Sequence, residues 1–402
     1  MYQFRSGFIV ALMALFVIPL SVHAATTSKT PLEVSGWIPY WRSATGTADV
    51  LPHLDLMSEV NPFVYTVKSD GSLYDSGKLK QDPWLSFIAA AKAKKVRIIP
   101  TIMWSNGDAI DATLRDPKKR LAHVNQIAQT IKAGGYDGVD IDYEGKLAET
   151  RPYFSLFLKQ LYAAMGNKWV TCTIEARTPP DSLYETIPTD IEYANDFKSI
   201  NKYCDRVRLM TYDQESADLK LNASSTGPYS PVADPRWIEK VVTLAAKDIS
   251  KKKLVIGVAT YGYEYNVTAY SDSYSYDLLW SFNPGYAWQV ANLYKVAPAR
   301  NEAGELSFSY VPVPGTSIPP DATTTPVQTT DKDQVAAAAT ALAVANNSHT
   351  TFHLVWWSDA QAINDKIALA HKLGVKGIAI FKLDGGEDQN IWTVLKGVKT
   401  GK

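Results

Sequence analysis

The stretch "YDGVDIDYE", Tyr136–Glu144, sets four carboxylates into eight residues: Asp137, Asp140, Asp142 and Glu144. The last three fall on every second position, interleaved with Val139, Ile141 and Tyr143. Successive side chains of a β-strand point to opposite faces. Asp140, Asp142 and Glu144 therefore share one face, and Val139, Ile141 and Tyr143 the other. A solvated edge strand would show the same alternation, so the surroundings must decide between the two readings.

Seven more strand-like runs surround this one. "LEVSGWIPYW", "VNPFVYTV" and "KVRIIPTIMW" precede it; "WVTCTIEA", "CDRVRLMTYD", "KLVIGVATYGY" and "VKGIAIFKL" follow. Helical patterns fall between most of them, such as "DPWLSFIAAAKAKK", "RPYFSLFLKQLYAAMG", "DPRWIEKVVTLAAKD" and "DAQAINDKIALAHKLG". Several open on Asp-Pro, a capping residue followed by a favourable first-turn residue. Eight strands alternating with helices predict an α/β fold, a (β/α)8 TIM barrel, rather than a doubly wound sheet. The ladder is then the fourth of eight strands, entered through the Gly134-Gly135 turn, and is no edge. One of its faces meets the helices and the other looks into the lumen. Stacked carboxylates are costly to bury there unless they share protons or meet a charged substrate state. Glu144 falls at the strand's C-terminal end, where barrel enzymes work, so the ladder reads as a charge relay toward it.

About ninety residues, roughly 264–351, interrupt the rhythm between the seventh and eighth strands. They include the aromatic "YSDSYSYDLLWSFNPGYAW", the strand-like "LSFSYVPV", the Pro/Thr-rich loop "GTSIPPDATTTPVQTTDKD" and the helical "QVAAAATALAVA". A small α+β insertion standing on the catalytic rim is expected, because the eighth strand must return to close the barrel.

Bulk properties narrow the function classes. The 402 residues are 46% hydrophobic, with 41 basic and 41 acidic side chains. No cationic surplus is available to neutralise phosphates, so nucleic-acid binding is not expected. Residues 1–24 carry Arg5, the apolar run "FIVALMALFVIPL" and a small-residue site after Ala24, the pattern of a secretory signal peptide. The mature protein, 25–402, is expected to be a monomer, secreted or periplasmic and cell-wall associated, with no membrane span after signal cleavage. Cys172 and Cys204 are expected to be two buried free thiols, since a domain of this size does not need a disulfide. Two distant cysteines and six scattered histidines predict no metal site, and no cofactor is expected.

"DGVDIDYE" resembles the D-G-x-D-x-D-x-E signature of glycoside hydrolase family 18, the chitinase-like barrels. "MTYD", Met210–Asp213, is similar to that family's Met-x-Tyr-Asp, and "GIAIFKLDGGED" resembles its last strand. The resemblance covers residues 31 to 398 and is nearest the spore-germination and cortex-lytic N-acetylglucosaminidase branch. It implies substrate-assisted retaining hydrolysis of a β-linked N-acetylglucosamine glycan, either peptidoglycan or chitooligosaccharide. Under it Glu144 is the general acid and base, and Asp142 orients the acetamido group. Asp140 shares a proton with Asp142, Tyr212 bonds the acetamido oxygen, and Asp213 and Met210 contact substrate. Phe381 stands where the family commonly has a tryptophan beneath the cleaved sugar. The third strand lacks the Ser-x-Gly-Gly of chitinases that attack crystalline chitin. Tyr40, Trp41, Trp104, Tyr261 and Trp357 are further candidates to grip sugar rings. Glu175 and Arg177 close the fifth strand, as an ion pair or a substrate contact.

Two alternatives remain from the sequence. A non-catalytic lectin of this fold would lose the acid or its partners, all of which are present here. An ordinary two-carboxylate glycosidase would pair Glu144 with Glu264 as nucleophile, which leaves the Asp140–Asp142 ladder without a purpose.

Overall fold

The computed structural model describes residues 31–313 and 335–400. The candidate signal peptide and the Pro/Thr-rich loop lie outside them. Eight parallel strands close a barrel, with the first, Glu33–Pro39, pairing with both the second, Glu59–Val67, and the eighth, Gly377–Phe381. The third strand is split into Arg97–Ile98 and Thr101–Trp104 around Pro100, which has no N–H to donate to the ladder. Strands four to seven are Gly138–Tyr143, Trp169–Glu175, Arg206–Met210 and Leu254–Ala259. Helices such as Pro117–Ala133, Arg151–Met165, Pro235–Ala245 and Ala360–Leu373 cover the outside. Asp116, Asp234 and Asp359 each cap a helix, accepting backbone N–H groups of its first turn.

Register decides which side chains meet. Asp140 and Asp142 pair with Thr101 and Met103 on one side and with Thr171 and Thr173 on the other. Thr173 in turn pairs with Arg208. These residues face the lumen, which is filled nearby by Trp37, Phe63, Val255 and Ala379. Val139, Ile141 and Tyr143 face outward into the main core, where Tyr143 stacks on Phe157 with ring centroids 5.5 Å apart.

Between the seventh and eighth strands stands an antiparallel sheet wider than expected. It begins at Gly262 and ends at Trp357, in the order Tyr274–Phe282, Gly262–Ala269, Thr350–Trp357, Leu306–Tyr310 and Ala299–Arg300. Helices Pro284–Tyr294 and Val335–Asn346 accompany it. Buried Glu305 ties this unit to the barrel. It accepts Lys366 Nζ at 2.8 Å from a barrel helix, Trp356 Nε1 at 2.8 Å, and the N–H groups of Val232 and Ala233.

Cys172 and Cys204 form a disulfide, which corrects the expectation of two free thiols. Cys172 lies on the fifth strand, and Cys204 follows helix Phe197–Tyr203 where the chain turns into the neighbouring sixth strand. Adjacent parallel strands bring the two Cα atoms to 6.0 Å, although 32 residues separate them in sequence.

Candidate active site

The three rungs of the ladder occupy different electrostatic settings. Asp140, at the bottom, is fully buried among donors. Oδ2 accepts Trp37 Nε1 at 3.0 Å and Thr101 Oγ1 at 2.9 Å. Oδ1 accepts Thr171 and Thr173 Oγ1, each at 2.9 Å, and Arg208 Nη1 at 2.7 Å. The same guanidinium bonds Glu59, so Arg208 bridges two buried carboxylates. Among the described residues Asp140 and Asp142 make no direct hydrogen bond to each other; the five donors named above bond the oxygens of Asp140. Asp137, the fourth carboxylate of the motif, accepts the Ile98 N–H at 2.8 Å and serves the third strand.

Asp142 is buried without such donors, and its Oδ1 has no hydrogen-bond partner among the described residues. Burial pushes its proton affinity well above the usual carboxylate range, reinforced by the charges of Glu144 and Asp140. Glu144 sits half-buried where the strand ends. Burial raises its pKa too, followed by Glu175, while Lys146 pulls the other way. The ladder thus runs from an ion-paired carboxylate to carboxyls whose pKa burial raises toward its open end.

The backbone around Glu144 is clamped. Lys146, its side chain fully buried, donates to the Tyr143 carbonyl and reaches Glu175 Oε2 at 3.4 Å. Glu175 Oε1 accepts the Gly145 N–H at 3.0 Å, and Oε2 accepts Asn195 Nδ2 at 2.9 Å. Burial favours protonated Glu175, but Lys146 and these donors outweigh it and hold its pKa below the usual value. Arg177 is not its partner; the guanidinium stacks on Tyr193 and Phe197 instead.

Tyr212 lies beside the ladder with its ring stacked on Phe381, centroids 5.8 Å apart. Burial, then the charges of Asp142 and Asp213, keep its phenol protonated and able to donate. A Cβ at Gly257 would approach the Leu209 carbonyl to 2.4 Å and the Tyr212 ring to 2.8 Å, so glycine makes room for this ring. Asp213 adopts φ 55° and accepts the hydroxyls of Tyr261 and Tyr263, both at 2.6 Å. Left-handed backbone at a non-glycine residue is a strain that active sites commonly hold.

A cleft of about 370 Å³ opens beside Asp213 and Phe381, and Glu144, Asp142 and Tyr212 are not among the residues that line it. Trp41, Asp213, Tyr261 and Phe381, all expected from the sequence, line it, together with Arg42 and Lys382, which were not. Met210 is half-buried at the end of the sixth strand, and Tyr40 is half-buried with its ring 5.0 Å from that of Trp41. Trp104 and Trp357 must be reassigned. Trp104 pairs with Tyr143 on the outward face and is only 2% exposed, packed against His123 and Tyr143. Trp357 is fully buried in the insertion's own core, against Trp288 and Phe308. Neither has a face to offer a sugar.

Glu264, the alternative nucleophile, is fully buried within the insertion sheet. Its oxygens accept the hydroxyls of Tyr286 and Tyr310, each at 2.5 Å, and contact His353 Nδ1 at 2.6 Å. The residues missed by sequence reading, Trp37, Arg208 and Lys146, share one signal. Each is a donor whose position on or just beyond a barrel strand sets it beside a ladder carboxylate or the ladder's backbone.

The sequence profile of glycosyl hydrolases family 18 matches residues 37–386. The chain belongs to that family. It is 22% identical over 353 residues to glycosylase YvbX of Bacillus subtilis, covering 85% of this chain and 87% of that one. The spore cortex-lytic enzyme SleL of Bacillus cereus superimposes with a TM-score of 0.65 at 18% identity, over 91% of this chain and 74% of SleL. A class V chitinase of Pseudomonas fluorescens Pf-5 gives a TM-score of 0.66 at 21% identity, over 92% of this chain and all of the other. These likenesses establish the barrel fold, and family membership makes the protein a glycoside hydrolase.

Proposed function

We propose that this family 18 hydrolase is an exported, retaining enzyme that cleaves β-linked N-acetylglucosamine glycans, with the substrate's own acetamido group as nucleophile. The observation that carries the reading is the graded ladder. A carboxyl whose pKa burial raises stands at the strand end, above a second buried carboxyl with an unpartnered oxygen. Among the described residues, Glu175 and Asp213 are the carboxylates beyond the ladder whose charges act on Glu144, and Glu264 stands in the insertion; Glu175 and Glu264 spend their oxygens on fixed donors, and Asp213 Oδ1 accepts two tyrosine hydroxyls. That supports substrate assistance over an enzymic nucleophile.

In this mechanism Glu144 gives its proton to the leaving glycosidic oxygen as the acetamido oxygen attacks the anomeric carbon. The Tyr212 hydroxyl donates to that oxygen and fixes its line of attack. Asp142 accepts the acetamido N–H on its free oxygen and stabilises the positive oxazolinium that forms. Glu144, now ionised, takes a proton from water, which opens the oxazolinium with net retention. Phe381, stacked on Tyr212, provides the apolar floor. The buried disulfide and the apolar N-terminal run support export, since disulfides persist in oxidising compartments.

The test is mass spectrometry of products from purified peptidoglycan and, separately, from chitooligosaccharides, with Glu144→Gln alongside. Loss of the general acid should lower kcat by about 10² to 10⁴ while binding is retained. A Glu144→Gln rate within about tenfold of the parent would remove Glu144 from this role.

A further inference from the structure

We propose that Arg42 forms a carboxylate-reading subsite at the rim of the cleft, so that the preferred substrate is an acidic glycan bearing a free carboxylate on a sugar adjoining the cleaved one. This rests on the glycosidase reading above and adds the substrate's charge to it. The first and eighth strands end side by side, and their C-terminal turns bring Trp41 and Arg42 against Lys382 and Asp384. The buried acid of this wall, Asp384, is already satisfied by it. Asp384, 1% exposed, accepts Lys382 Nζ, Asn283 Nδ2 at 3.2 Å and the Gly386 N–H at 3.0 Å. Lys382 also donates to Asn283 Oδ1 at 2.9 Å. Asp213, exposed in the same cleft, accepts its two tyrosine hydroxyls on Oδ1 alone.

Arg42 is left over. Its guanidinium makes no hydrogen bond among the described residues, and Nε is buried without a partner. The nearest carboxylate oxygen, Asp384 Oδ2, lies 3.8 Å away and is already committed. Lys382 takes the closer contact with Asp384, so Arg42 keeps the four N–H donors of its two terminal nitrogens at a cleft wall whose other acid is Asp213. The side chain is 30% exposed, beside the half-exposed ring of Trp41. A planar fork matches the two oxygens of a carboxylate, and an aromatic face beside it suits the ring that carries the acid. A purely structural Arg42 would have spent its donors on the protein. In an N-acetylglucosamine glycan the acid comes from one of two sources, an O-lactyl ether or a uronic acid. A lactyl carboxylate in a cell-wall glycan is free only after its peptide amide has been hydrolysed, so an amidase-class reaction must then act first.

The experiment compares kcat/KM on tetrasaccharides of equal length: all N-acetylglucosamine, alternating N-acetylmuramic acid as free acid and as methyl ester, and alternating glucuronic acid as free acid and as methyl ester. The free acid should be preferred over its ester by about ten- to a hundredfold, the scale of one charge-assisted bidentate contact, and less so at high salt. Arg42→Gln should collapse that ratio toward one, and Arg42→Lys should keep part of it. A preference confined to the muramic or to the glucuronic arm identifies the source. Equal rates on acid and ester, or a ratio that survives Arg42→Gln, overturn the subsite. If no arm is cleaved the glycosidase reading fails instead, and calorimetric binding of acid and ester to the parent and Arg42→Gln then decides the subsite alone.

Discussion

Replacing Arg208 by methionine tests whether the bottom of the ladder is an ion-paired foundation. The guanidinium donates to Asp140 Oδ1 at 2.7 Å, to Thr171 Oγ1 at 2.8 Å, and to Glu59. All three side chains are shut off from solvent. Methionine restores much of the volume but leaves two carboxylates in a dry lumen without their shared cation. Removing one partner of a buried ion pair costs about 3 to 5 kcal/mol, chiefly the penalty of the stranded charge. Asp140 keeps four neutral donors, and Glu59 keeps Asn61 at 2.8 Å and Arg97 at 3.3 Å. The expected loss therefore lies at the lower end, about 3 kcal/mol. Urea unfolding followed by tryptophan fluorescence at neutral pH reads it as a lower midpoint at unchanged slope. The triple variant Glu59→Gln/Asp140→Asn/Arg208→Met removes all three charges and should recover at least half of the loss, because no carboxylate is then stranded. Arg208→Met within about 1 kcal/mol of the parent would refute the reasoning. So would a triple variant no more stable than the single one.

The clamp around Glu144 makes a prediction about pH. The rate needs Glu144 protonated, so the alkaline limb of kcat/KM follows its pKa, which burial and then the Glu175 charge hold above the usual carboxyl value. Glu175→Gln removes that anion and frees Lys146, which pulls the same pKa down, so the limb should move to lower pH; a limb that stays put or moves up contradicts the assignment. The Cys172–Cys204 bond closes a loop of 32 residues, for which chain entropy gives about 3 to 4 kcal/mol. Thermal melts with and without a strong reductant should differ accordingly, and identical melts of the fully oxidised and fully reduced forms would remove the bond from the stability of the fold.

Much of the fold is local in origin, and local patterns are what a sequence displays. Alternation in "VDIDYE" and the helical spacing in "RPYFSLFLKQLYAAMG" each follow from one element's own geometry, so strand count and barrel topology could be read directly. The errors fall where two distant elements must be registered. Trp104 looked like a rim aromatic because it ends a strand. Its face is set by pairing with Tyr143, and that turns it away from the lumen. The Cys172–Cys204 bond depends on strands five and six lying side by side, a contact across 32 residues. Arg208 carried a usable signal all the same. It shares strand parity with Met210, so a lumen-facing Met210 implies a lumen-facing Arg208, and a guanidinium inside a barrel demands buried carboxylates.

That demand explains why the ladder has three rungs when acid chemistry needs one. An unpaired row of three anions could not be buried, and a row of three neutral acids would supply no field. Arg208 pairs the carboxylate at the bottom, and burial, then the charges of Glu144 and Asp140, raise the pKa of the middle carboxyl. Burial raises the pKa of the acid at the top as well, with Glu175 as its neighbouring anion and Lys146 limiting the effect. The alternation of acid and hydrophobe in Tyr136–Glu144 is therefore one electrostatic gradient written along a single strand. Its lower end is anchored for stability, and the raised proton affinity of its upper end suits an acid catalyst.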